Sequence, residues 1–336
     1  MLNRSKLLFV HWLIGWIMVS GCGSQNDRLL VDDSDIHVPH VKIHRYDLDL
    51  FQVRHDHLSQ DLEKLKPEYR FFLETDLSDP TKLEQMQAYL ENRRTREFYA
   101  EVRTRFKDVA NLENSLTDLF RHLKYYYPDV KIPRVYSYIS GGDYDFPVQL
   151  SDSVLLIGLD NFLGTDFKPY VADGISRYRI GRMTPQHIMP GIAGAFREEM
   201  YPAQFPRNSL LEQMVESGKD IYFIKAMIPH TELRFILGYN KDQYQWITNH
   251  EPHVWSAIID NQMLYSTDGQ MTRSWMSDGP FSPGFSQEAP PRLGAFIGWQ
   301  IVRKFMENQP DITLSQLMDE KDHQKILTLS KYKPQK

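Results

Sequence analysis

Arg292-Leu-Gly-Ala-Phe-Ile-Gly-Trp-Gln-Ile-Val-Arg-Lys-Phe-Met306 is apolar nearly all round in its first turns, with glycines four apart at 294 and 298. A helix that is apolar on every side is buried. Outside a bilayer, its glycines mark places where a neighbour comes close. Leu210 to Ile228 reads as a second long helix, with the stripe Leu210/Leu211, Met214, Val215, Gly218, Ile221 and Tyr222. Gly218 within it costs about 1 kcal/mol against alanine unless another backbone packs there. Ser209 and Glu212 have the spacing of a capping box that opens this helix.

Upstream, Pro190 to Tyr201 reads as a helix starting at its proline, with Ile192, Phe196 and Met200 on one side. Val154-Leu-Leu-Ile-Gly-Leu159 is apolar on both faces and belongs inside a sheet. Arg134 to Ser140 and Asp145 to Leu150 read as strands, joined through the turn residues Gly141-Gly142-Asp143. Leu58 to Tyr127 is helical. Asp79 before Pro80 is a start signal, and Leu112, Leu116, Leu119, Phe120, Leu123 and Tyr127 keep helical spacing. Glu91 to Lys107 is dense in Arg and Glu, read as a solvated face laced with ion pairs, the alternative being a docking surface. His37 to Phe51 holds a first strand in which Val41, Ile43 and Arg45 alternate with Lys42, His44 and Tyr46. Histidines 37, 40, 44, 55 and 57 are spaced irregularly, which fits surface residues better than metal ligands.

Downstream of residue 228, Asn240 caps a helix carrying Trp246, and Pro252 is expected to restart the chain into another carrying Trp255. Met276 to Pro291 is rich in Gly, Pro and Ser, either a mobile connection or a functional surface loop. Thr313 to Met318 and Asp322 to Leu329 close the chain as short helices. The expected fold is α+β and predominantly helical, a small sheet packed by helices. A single domain at 37–336 is expected, with a helical first part at 58–127 and a second part at 130–336.

The N-terminus carries a different message. Arg4 and Lys6 precede an apolar run from Leu7 that ends in Val19-Ser20-Gly21-Cys22, and no acidic residue occurs before Asp27. The run is too short for a comfortable membrane span, which needs roughly 20 apolar residues, and fits an export signal. Cys22 is the only cysteine of 336 residues, so disulfides and cysteine-based zinc sites are excluded. It sits where the bacterial lipoprotein box places its acylated residue. That resemblance implies a signal peptide at 1–21, cleavage before Cys22 and lipid on its sulfur and amino group. Several acyl chains, at about 0.8 kcal/mol per buried CH2, hold a protein on a membrane stably. Cleavage removes Arg4 and Lys6 and moves the formal charge from −5 to −7. An acidic chain with no basic stretch argues against nucleic acid and against electrostatic attraction to anionic lipid. Residues 22–36 are polar and acidic and read as a flexible tether.

Met214-Val-Glu-Ser-Gly-Lys-Asp-Ile-Tyr-Phe223, Pro291 to Met306, Ile326-Leu-Thr-Leu-Ser-Lys-Tyr-Lys-Pro334 and Gly158-Leu-Asp-Asn-Phe-Leu-Gly164, together with the lipobox, resemble the GldB family of gliding motility lipoproteins of the Bacteroidetes. The resemblance covers most of the mature chain. It implies a lipoprotein required for gliding over surfaces, with envelope partners in the gliding or type IX secretion apparatus. No cofactor follows from it. Gly23-Ser24-Gln25-Asn26 puts no acid beside Cys22, so the expected location is the outer membrane, facing the periplasm.

A more distant similarity is to gluzincin-type zinc peptidases, in which one helix bears His-Glu-x-x-His and a second supplies a glutamate. Two histidines one turn apart and a glutamate complete three zinc ligands, while the motif glutamate activates water. Glu216-Ser217-Gly218 suits the second helix, but the first reads Ala-Phe-Arg-Glu-Glu-Met-Tyr, with Glu198 and Glu199 and no histidine. His187 is separated from that helix by Pro190. His250-Glu-Pro-His253 has a spacing of three with a proline between. Glu212, Glu216 and Asp220 lie one turn apart, either solvated or marking a cleft, with Arg197 and Lys219 as internal partners. The expectation is a zincin-like fold without its metal site and no catalytic activity. The alternative is an envelope metallohydrolase using Glu198, Glu199, Glu216 and His250. Met276 to Pro291 and the face around Trp246 and Trp255 are the candidate contact surfaces, against core packing for the two tryptophans.

Overall fold

The computed structural model describes residues 28–151, 153–203 and 208–334. Among them, four strands form one sheet: β1 (Ile43–Arg45), β2 (Arg134–Tyr138), β3 (Val148–Ser151) and β4 (Val154–Gly158), in the order β1-β2-β4-β3. β2 is parallel to both β1 and β4, with Val135 opposite Leu155, and β3 closes the other edge antiparallel to β4. The doubly apolar stretch is thus an interior strand. β1 is shorter than expected because the chain turns at Tyr46–Asp49 into a helical turn. Arg45 there holds the buried Asp47 at 2.9 Å, and the Ser137 hydroxyl donates to the same carboxylate.

The longer helices, in chain order, are α1 (Leu58–Leu65), α2 (Pro80–Glu91), α3 (Arg93–Arg105), α4 (Ala110–Tyr126), α5 (Ile188–Met200), α6 (Leu210–Met227), α7 (Lys241–Asp260), α8 (Gly269–Met276), α9 (Leu293–Asn308), α10 (Leu314–Asp319) and α11 (His323–Ser330). The molecule is α+β and mostly helical. Alternation along β2 and β4 divides its core in two. Tyr136 and Leu156 face a small cluster with Leu62, Leu73 and Leu90 from the helical first part. Val135, Leu155 and Ile157 face the large cluster that runs through α4, α5, α6 and α9. Asp79 caps α2 through Thr81 N–H at 2.8 Å, with Pro80 in its first turn.

At the centre of the large cluster, α6 and α9 meet backbone to backbone. A Cβ built on Gly218 would stand 2.2 Å from the Gly298 carbonyl oxygen, and one on Gly298 would stand 1.7 Å from that of Met214. No real side chain fits there. The glycine inside each helix is therefore explained by the other helix.

The helix expected from Pro190 starts at Ile188, so His187 adjoins it, and two further stretches depart from expectation by more than a shifted boundary. Pro252 does not restart the chain: α7 runs through it unbroken. The missing N–H leaves the Thr248 carbonyl without its intrahelical donor, while Ile247, Val254 and Ile258 stay buried on either side of the proline. Burial of that continuous face holds the helix together. The second difference is in the tether, part of which is fixed on the domain. Arg28 donates to the carbonyls of Met306 at 2.7 Å in the last turn of α9, and of Gln309 at 2.9 Å and Ile312 in the connection that follows. Leu29 is buried in the large cluster, and Asp33 lies 3.7 Å from Arg121.

Candidate functional site

The glutamate row on α6 is resolved one residue at a time. Ser209 caps the helix, accepting from Glu212 N–H, and the Glu212 carboxylate accepts from Asn208 N–H at 2.8 Å. Asp220 lies 3.3 Å from Arg197. The Glu216 carboxylate accepts from Lys219 Nζ and lies against His323 Nε2, both at 2.8 Å. Arg197 and Lys219 are therefore the internal partners the sequence offered. His323, 107 positions downstream, left no signal in the sequence.

Lys219 is 1 % exposed. An ammonium that deep must be paired, and it reaches the Glu320 carbonyl at 2.9 Å as well as Glu216. The cluster stitches α6 to the turn between α10 and α11. Burial works to raise the Glu216 pKa, but the hydrogen bonds from His323 and Lys219 outweigh it and hold the carboxyl down at about 2. Chemically this is a structural ion pair, with the ammonium where a cation would otherwise sit.

The other residues singled out in the sequence lie apart from it. Glu198 pairs with Arg197 at 2.6 Å and is exposed, as is Glu199. His250 stacks on Trp246, with ring centroids 4.2 Å apart, and its Nδ1 lies 2.8 Å from the Trp246 carbonyl oxygen. Among the described residues, no group of three His, Cys, Asp or Glu side chains is placed to hold a metal ion. Cys22 lies outside the described residues. Alanine at both Glu198 and Glu199 should shift stability by less than about 0.5 kcal/mol in urea unfolding, as for exposed positions generally.

His187 adds a second acid-sensitive position. Its Nδ1 lies 2.8 Å from Thr184 Oγ1, while Nε2 is buried without a hydrogen-bond partner. Burial, then the charges of Arg182 and Arg234, lower its pKa from 6.5 to about 4. The unfolded chain takes up this proton first, so stability should fall as pH drops from 6.5 towards 4. The Glu216 contribution is complete above 4.5 and is lost as pH falls from there towards 2. Urea melts from about pH 7 to about pH 3 should therefore show a loss in two stages, with His187→Asn reducing only the upper one, to which His122, its pKa also lowered by burial, contributes the rest.

A candidate contact surface expected from the sequence is the loop from Ser277 to Arg292, part exposed and part buried. It is anchored rather than loose. Asp278 is bound by Arg182, one bond at 2.8 Å, and the Ser282 hydroxyl donates to the Pro290 carbonyl at 2.7 Å. Tyr239 donates to the Pro291 carbonyl at 2.7 Å. Phe285 packs edge-on to both Trp246 and Trp275, so the loop and the half-buried Trp246 form one continuous surface. Trp255 is half-buried and packs edge-on to Tyr332. Beside the loop, a hollow of about 400 Å³ is lined by Arg273, Ser274, Asp278, Phe281 and Pro283 among others. Arg292 ends the loop in the left-handed region, at φ 58. Burial lowers its guanidinium pKa, and its Nη1 donates to the Leu237 carbonyl at 3.5 Å. A non-glycine residue held there carries a strain of about 1–3 kcal/mol.

Sequence reasoning missed the role of Asp160. This fully buried carboxylate receives Ser140 N–H at 2.8 Å, the Ser140 hydroxyl at 2.8 Å and Gly141 N–H at 3.0 Å. It pins the turn after β2 to the end of β4. Burial raises its pKa and these donors oppose the rise. The Gly141-Gly142 turn was legible; its buried anchor was not.

Taken together, the elements and clusters define a mostly helical α+β protein in which Lys219, Asp160 and Arg28 each tie together segments distant in sequence. The chain is matched over residues 26–334 by the model of the family described as gliding motility protein GldB, and it belongs to that family. It is accordingly a gliding-motility-related protein, of a family whose name points to membrane-anchored envelope proteins. No curated protein and no solved structure matches it. No helix among the described residues is long and apolar enough to cross a membrane.

Proposed function

We propose that the protein is a lipid-anchored, non-catalytic component of the gliding or type IX secretion apparatus, carried by Cys22 on the periplasmic face of the outer membrane. The observation that carries this reading is the family match over nearly the whole domain, joined to an export signal that ends at the chain's only cysteine. The scaffold role is supported by the commitment of Glu216 to Lys219 and His323. The expected likeness to zinc peptidases has no support beyond the sequence order of sheet, first helix and Glu216-Ser217-Gly218 helix. The surface offered to an envelope partner is the loop from Ser277 to Arg292 with Trp246.

Two measurements test the proposal. Cys22→Ala should move the protein from the membrane to the soluble fraction of the envelope while its domain stays folded. The soluble domain starting after Gly23, purified without a metal-affinity tag, should hold less than about a tenth of an equivalent of any transition metal. Zinc close to one equivalent after dialysis would favour the metallohydrolase alternative and return Glu198, Glu199, Glu216 and His250 to consideration as ligands.

A further inference from the structure

Arg28, in the stretch expected to be a flexible tether, is fixed to the domain. The last carbonyls of a helix have no intrahelical donor, and a cation near them also meets the negative end of the helix dipole. The guanidinium of Arg28 serves the Met306 carbonyl in the last turn of α9 and, just past the helix, those of Gln309 and Ile312. Leu29 next to it is 4 % exposed, within the large cluster. The chain is therefore pinned to the domain at residues 28 and 29.

Arg28 lies six residue steps after Cys22, with five residues between them. Fully extended, those steps span at most about 20 Å. A domain of this size is roughly 50 Å across. A leash that short cannot let the domain turn its far side to the anchor. We infer that the face around Arg28, Leu30, Gln309 and Asp311 lies against the lipid bilayer, a conclusion that rests on the lipidation of Cys22 proposed above. Leu30, 54 % exposed beside the leash, is the apolar side chain this face offers the interface. Asp32, Asp35 and Asp311 are exposed nearby, so covalent lipid and not charge attraction holds the face down. α9 runs about 24 Å from Leu293 to Asn308, at 1.5 Å per residue. The loop from Ser277 to Arg292 leads into its opposite end and is presented away from the membrane.

The test uses the full lipidated chain isolated from membranes, with one added cysteine, at Asp311→Cys or at Glu288→Cys. Both positions are exposed, and each is labelled with an environment-sensitive fluorophore. The protein is reconstituted into phosphatidylethanolamine and phosphatidylglycerol vesicles that carry a headgroup nitroxide quencher. The label at 311 should be quenched several-fold more than the label at 288. A flexible twenty-residue Gly-Ser insertion after Ser24 should reduce quenching at 311 while flotation with the vesicles is unchanged. Protein that floats but shows equal quenching at the two positions overturns this orientation and leaves the lipid anchor standing. Protein that fails to float overturns both.

Discussion

Gly298→Ala is expected to destabilise the domain by more than about 3 kcal/mol, beyond the usual 1–3 kcal/mol for overpacking a core. The new methyl would stand 1.7 Å from the Met214 carbonyl oxygen and 2.5 Å from its carbon. Both are backbone atoms of a helix, so relief requires α6 and α9 to separate along their buried length. Gly218→Ala meets the Gly298 carbonyl at 2.2 Å from the other side and should behave alike. Gly294→Ala should cost less, because its nearest obstacle is the Met276 sulfur at 2.3 Å, the end of a flexible side chain. Gly194→Ala, in α5 with only Ile224 Cδ1 at 3.9 Å, is the control. It should gain up to about 1 kcal/mol from helix propensity. Thermal melts of the four variants give the order directly, at roughly 2–4 °C per kcal/mol for a large domain. Gly298→Ala melting with the unaltered protein would show that the two helices do not cross as described.

Lys219→Met carries the second large effect, a loss of about 3 kcal/mol, near the lower end of the range for breaking a buried ion pair. The methionine keeps most of the stem's volume but leaves the Glu320 carbonyl without its ammonium donor and takes from Glu216 the cation at 2.8 Å. Removing both charges should be milder than removing one. Lys219→Met combined with Glu216→Leu should recover most of the loss, since no uncompensated charge then remains in the interior. Urea unfolding of the two single variants and the pair closes a double-mutant cycle. Losses that simply add would mean that Glu216 and Lys219 act independently.

The helical crossing was half legible. The glycines at 218, 294 and 298 announced close approach, because an apolar helix has no other use for them, but which helix met which depended on three-dimensional packing. Val154 to Leu159 was placed inside the sheet by having no polar face. Pro252 misled because proline's local cost is visible in sequence, whereas the burial of Ile247, Val254 and Ile258 that offsets it is not. Arg28 misled in the opposite sense. A polar, acidic stretch reads as spacer, and nothing local says that its arginine reaches carbonyls nearly three hundred positions away. For the candidate site, Lys219 was legible as a partner of the acidic row through helical spacing. His323 and the Asp160 anchor come from distant segments and were not.

Gliding by cells that carry only the variant protein tests the central claim most directly. The account predicts that Cys22→Ala abolishes gliding while the domain accumulates and stays folded, and that Glu198→Gln with Glu199→Gln glides as the unaltered protein does. Normal gliding by the unlipidated form, or loss of gliding in a stable and abundant Glu198/Glu199 variant, would contradict an anchored, non-catalytic component.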